Sequence, residues 1–212
     1  MQTLTYRRLK VYDPILRVIH AWNGLAILFL MATVWLSELF EKGPGEKTLW
    51  TLHIYLGYAL VTGIAARILW GIIGPKHARF TDFWHPQAWL QVFRTRSLET
   101  KHRFGHHPLA SGAYLAVYLL LVVMAATGLG LAAVGHSMGP LDAWVGDMPW
   151  LKDIFEEPHE LIYNLLIAFV VVHLGALIWH EKHDRAPLAQ AMVSGYQYQA
   201  TQHSQSQGEH HA

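Results

Sequence analysis

Four long stretches of this chain carry almost no charge, and nothing else in the sequence restricts its fold as strongly. Each is about 19 to 25 residues long, the length that crosses ~30 Å of hydrocarbon as an α-helix. They fall at about 15–37, 48–73, 109–134 and 158–180. Local punctuation agrees with those limits. Asp13 and Pro14 form a helix-start signal, Gly43, Pro44 and Gly45 make a polar turn, Gly74 and Pro75 stop the second run, and Pro108 and Gly135 bracket the third. Between the third and fourth runs, Trp144 and Trp150 stand among Asp142, Asp147, Asp153, Glu156 and Glu157, a composition that suits the headgroup belt. The expected fold is all-α: an integral membrane four-helix bundle of up-down topology over residues 1–185. A polar, glutamine-rich tail over 186–212 is expected to be poorly ordered.

Composition supports this, with 52% hydrophobic and only 15% charged residues. A soluble bundle of helices apolar on every side would need four bilayer-length runs, and agreement of charge at every loop, by coincidence. Basic residues set the orientation. Arg7, Arg8, Lys10 and Arg17 precede or open the first run, Lys76, Arg79, Arg94, Arg96, Lys101 and Arg103 separate the second from the third, and Lys182 and Arg185 follow the fourth. The opposite loops hold Lys42, Lys47 and Lys152 amid many acids. Both termini are therefore expected in the cytoplasm, with the chain in a bacterial inner membrane. The first run lacks a small-residue cleavage signature and reads as a retained span. Lipids, not nucleic acid, are the expected surroundings.

The chain has no cysteine, which excludes disulfides, iron–sulfur clusters, thiolate zinc sites and covalent c-type haem attachment. Histidine carries the remaining chemistry. His159 and His173 lie fourteen residues apart along the fourth run; at ~1.5 Å and ~100° per residue that is an advance of roughly 21 Å and a return to within about 40° of the starting face. His20 lies near the cytoplasmic start of the first run and His53 near the outer start of the second. The four sort by depth into two pairs, His20 with His173 inside and His53 with His159 outside. An imidazole in hydrocarbon is costly and functional by default, and neutral imidazole is an axial ligand of haem iron. Two imidazoles per iron fill both axial positions, so two bis-histidine haems are expected. Zinc fits less well, because its sites gather three or four ligands at one point.

Arg67 lies fourteen residues beyond His53, at the depth of the inner pair, and its forked guanidinium suits a haem propionate; snorkelling to the headgroups competes with that role. Arg17 is a second candidate for a propionate, though a positive-inside anchor suits it better. Gly57, Gly63, Gly128 and Gly130 permit close approach of a helix or a macrocycle. Trp70, Lys76, His77 and Arg79 could flank a quinone near the inner haem, or form an ordinary interface. His85, His102, His106 and His107 read as solvated loop residues, His180 and His183 as interfacial. No function is assigned to His203, His210 and His211.

The segments YDPILRVIHAWNGLAI, LHIYLGYALVTGIAARILWGIIGPKHARF and EPHELIYNLLIAFVVVHLGALIW resemble those of the bacterial cytochrome b561 family, which includes the b-type cytochrome subunits of nickel-iron hydrogenases. The resemblance covers roughly residues 10 to 182. Of the family's Arg-x-x-His-Trp motif, Arg17 and His20 match, and Ala21 intervenes before Trp22. The resemblance implies that His20, His53, His159 and His173 ligate two b haems and that the bundle exchanges electrons with a quinone. It also implies a second redox partner: a hydrogenase-like oxidoreductase, a periplasmic c-type cytochrome, or superoxide. The leading expectation is an electron-transfer subunit linking quinone to a periplasmic redox protein. A stand-alone superoxide:quinone oxidoreductase and a haem-free anchor or scaffold are the alternatives, and a homodimer is left open.

Overall fold

The computed structural model describes residues 5–40, 42–75, 78–82, 108–183 and 188–201. In chain order these form strand β1 (Thr5–Lys10), helices α1 (Pro14–Ser37) and α2 (Pro44–Ile73), a 3-10 turn (Phe80–Asp82), helices α3 (Pro108–His136), α4 (Asp142–Val145), α5 (Leu151–His183) and α6 (Leu188–Ser194), and strand β2 (Tyr196–Thr201). The four long helices are each long and apolar enough to cross a membrane. Large apolar side chains such as Leu25, Phe29, Ile72, Leu119, Val172 and Ile178 stay exposed along them, the surface that a lipid solvent takes.

Caps and packing follow from local chemistry. Asp13 accepts a hydrogen bond from the Leu16 N–H at 3.0 Å, with Pro14 at the first helical position. The same carboxylate accepts from Trp70 Nε1 at 3.1 Å, which ties the start of α1 to the end of α2. α1 packs on α2, α3 on α5, and α2 on α3, around a core of Ala26, Met31, Leu60, Ile64, Leu121, Ile162 and Leu166. Gly63 lets α1 and α2 meet: a β-carbon there would collide with the Asn23 side chain and lie 2.6 Å from the Trp22 ring. Gly63→Leu is therefore expected to destabilise the bundle by about 1–3 kcal/mol. Gly24→Ala, whose added carbon meets nothing within 4 Å, serves as its neutral-to-stabilising control. Thermal unfolding in detergent compares the two.

Two features depart from expectation. The last long helix begins at Leu151, not near Pro158, and the proline sits inside it. Its first two turns are polar, and Lys152 and Glu156 pair there at 3.6 Å with helical i,i+4 spacing. The second departure is at the C-terminus. Where a poorly ordered tail was expected, α6 and β2 form, because β1 supplies the strand with an antiparallel partner, Thr5 facing Thr201 through Lys10 facing Tyr196. Among the described residues this two-stranded sheet is the exception to an otherwise helical fold, and it joins the segment before α1 to the segment after α6. Residues 202–212, with His203, His210 and His211, lie outside the described residues, as do His77, His85, His102, His106 and His107.

Candidate functional site

The up-down path of the helices brings the four histidines together in two places. At the end of the bundle nearer β1 and β2, the His20 and His173 rings lie 6.5 Å apart between centres, tilted by 53°. Phe169, one turn before His173, stacks on its ring at 5.5 Å. α1 and α5 make few contacts with each other, so both imidazoles are exposed. At the opposite end, His53 from α2 and His159 from α5 line one cavity of about 570 Å³. Trp50 meets the His53 ring edge-on at 5.7 Å.

Each outer histidine is held by a threonine on another helix. Thr33 Oγ1 lies 2.9 Å from His53 Nδ1, and Thr127 Oγ1 lies 3.0 Å from His159 Nδ1. Among the described residues the rings of His20 and His173 have no such partner. The expected glycines divide into two kinds. Gly63 and Gly130 are packing glycines, set under Asn23 and under the Phe155 ring. Gly57 and Gly128 line the outer cavity; a β-carbon on Gly57 would meet nothing within 4 Å, and one on Gly128 would touch His159 Cε1 at 3.1 Å.

The two arginines separate as well. Arg67 is 1% exposed, donates from Nη2 to the Ala78 carbonyl at 2.9 Å, and lies over Phe80 at 4.8 Å and Tyr114 at 5.3 Å. Its Nε and Nη1 have no hydrogen-bond partner among the described residues, and neither has the buried amide of Asn23. It does not snorkel. Arg17 turns outward from the bundle: Nε donates to the Met192 carbonyl at 3.1 Å and Nη2 to the Val193 carbonyl. It thus closes the last turn of α6, a favourable place for a cation. At the proposed quinone flank, Arg79 Nε donates to the Gly74 carbonyl at 2.6 Å and caps α2.

Thr33, Thr127 and Asn23 were not singled out from sequence, and neither was His136, which lines the outer cavity. Threonine inside an apolar run has no distinguishing pattern until a neighbouring helix is placed beside it.

The residues fit a haem at both ends. An imidazole nitrogen sits about 2 Å from a bound metal, so two rings flanking one iron have centres about 6 Å apart. The 6.5 Å of the inner pair is close to that span. The outer pair lines a cavity in which Gly57 leaves open the volume that a side chain would fill, while Gly128 makes room for the His159 ring.

Four bilayer-length helices, with His20 beside His173 and His53 sharing a cavity with His159, are an arrangement that suits a membrane protein of the b-type cytochrome class. The chain belongs to the prokaryotic cytochrome b561 family, whose model matches residues 11–195. Among curated proteins it is similar to a probable Ni/Fe-hydrogenase B-type cytochrome subunit of Azotobacter vinelandii, 26% identical over 92% of this chain and 89% of the relative. A protein of the same description from Cupriavidus necator is 28% identical over 88% and 85% of the two chains. The corresponding hydrogenase 1 subunit of Escherichia coli K12 is 22% identical over 88% and 89%. No solved structure matches the chain. Family membership makes this a membrane b-type cytochrome of electron transport, with haem b as its cofactor.

Proposed function

We propose that this protein carries electrons across the bacterial inner membrane on two haems, one at each end of the bundle, between a quinone pool and a hydrogenase-like oxidoreductase on the outer side. The observation that carries this reading is the pairing of the histidines: α5 contributes one member to each pair, fourteen residues apart, and α1 and α2 bring the partners. His20 and His173 would hold the inner haem, His53 and His159 the outer. Held by two imidazoles, such a haem would supply one-electron transfer. A separation of roughly 21 Å along α5 makes two centres necessary, since one would leave most of the bilayer uncrossed.

The other side chains position and neutralise. Arg67 is the propionate partner of the inner haem, because a wholly buried guanidinium with two unpaired donors calls for an anion. Basic residues concentrate at the end where β1 and β2 pair, which supports a cytoplasmic position for that end. The outer end is acidic through Glu46, Asp142, Asp147, Asp153 and Glu157, and steers a partner that presents lysines. Lys152, one of the few bases there, is paired with Glu156, which disfavours a funnel for superoxide. The relatives' description as hydrogenase subunits favours a hydrogenase over a c-type cytochrome as the partner.

Purified protein is expected to contain two haems per chain, with a bis-imidazole difference spectrum. It should be reduced by a hydrogenase under hydrogen and reoxidised by a quinone analogue. A colourless preparation overturns the reading. Reduction by superoxide but not by hydrogenase replaces the partner.

A further inference from the structure

The outer histidines differ from the inner ones in having their Nδ1 atoms engaged, and the direction of those hydrogen bonds follows from proton counting. A threonine hydroxyl has one proton. Thr33 Oγ1 lies 2.7 Å from the Leu30 carbonyl, and Thr127 Oγ1 lies 2.9 Å from the Val123 carbonyl and 3.1 Å from that of Met124. A carbonyl can only accept, so each hydroxyl donates back into its own helix, the usual habit of threonine inside an apolar helix. Its oxygen is then left as an acceptor toward the imidazole, and the imidazole must donate from Nδ1. The proton on Nδ1 makes Nε2 the lone-pair nitrogen.

From this geometry we propose that Thr33 and Thr127 are positioning residues that fix the outer ligand pair as Nδ1–H tautomers, present both Nε2 atoms to one iron, and lower the potential of that centre relative to one lacking such bonds. The inference rests on the two-haem reading above. A ring N–H that donates to an acceptor enriches the opposite nitrogen in electron density, which favours the ferric state. His20 and His173 have no equivalent acceptor among the described residues, so the device distinguishes the two ends of the wire. It also restrains ring rotation. Thr33 stands on α1 and Thr127 on α3, so each outer ligand is braced by a helix other than its own. Gly128, beside Thr127, leaves the room that the His159 ring occupies.

Valine has nearly the shape of threonine and no hydroxyl, so Thr33→Val and Thr127→Val remove the acceptor with little change of packing. Redox titration of the full-length holoprotein, resolved into two midpoints, tests the proposal. Each valine variant is expected to retain two haems and to raise the same single midpoint, changing the oxidised-to-reduced ratio at that centre about tenfold, or about 59 mV for one electron. Thr33→Ser and Thr127→Ser should restore the wild-type value. Loss of one haem in a valine variant, recovered with serine, supports the same role. Unchanged midpoints with full haem content overturn the threonine inference and leave the two-haem reading standing, as do equal shifts of both midpoints or a serine variant that behaves like valine. A wild-type protein with fewer than two haems overturns both.

Discussion

His53→Ala and His159→Ala should each leave one haem per chain, and the surviving spectrum should be the same for both. His20→Ala and His173→Ala should each leave the other haem. The effect is large because an alanine offers iron nothing in place of nitrogen, and a b haem has no covalent attachment to retain it. Combining variants separates pairing from general damage. Joining His53→Ala to His159→Ala removes no further haem, since both act on one centre, whereas joining His53→Ala to His20→Ala yields a colourless protein. Pyridine haemochrome assay per mole of polypeptide measures the loss, and the difference spectrum identifies which centre remains. If His53→Ala and His173→Ala erase the same centre, the pairing by depth is wrong. The 6.5 Å between the His20 and His173 rings and the shared cavity of His53 and His159 support the pairing stated here.

Much of this architecture is legible in sequence because the bilayer makes charge itself the signal. Helices α1, α2 and α3 begin at Pro14, Pro44 and Pro108, and α1 starts on its expected Asp13–Pro14 cap. The nearness of His20 to His173, and the cavity shared by His53 and His159, also follow from sequence: once four spans alternate in direction, each residue's depth follows from its position along its span. Contacts that run sideways between helices are different. Nothing in the spacing of Thr33 and Thr127 says that they face His53 and His159, because the contacts are set by how α1 turns toward α2 and α3 toward α5. The surroundings of Arg67 were not legible either, since Phe80 and Tyr114 arrive from other segments. Arg17 shows the limit most clearly. A basic residue at a span's mouth reads as a headgroup anchor, and its use as a clasp on α6 depends on a seven-residue helix too short to stand out as a span in the sequence.

Gly57→Leu should cost the outer haem while leaving the helix intact. Glycine in a helix interior is less favourable than leucine by up to about 1 kcal/mol, and a β-carbon on Gly57 meets no atom within 4 Å. Judged by the polypeptide alone, the substitution should be neutral or stabilising. It nevertheless projects a branched side chain into the cavity that His53, one turn earlier on α2, shares with His159. The expected result is therefore a protein with unchanged or raised helical stability, one haem per chain, and the spectrum left by His53→Ala. Circular dichroism melting and haem quantification on the same preparation make the comparison. Gly63→Leu should show the opposite pattern, lost stability from the collision with Asn23, because its glycine seats a side chain of the protein and not a cofactor. If Gly57→Leu retains both haems, the cavity at the outer end is not the seat of one, and His53 and His159 lose their proposed role even though their rings face the same space.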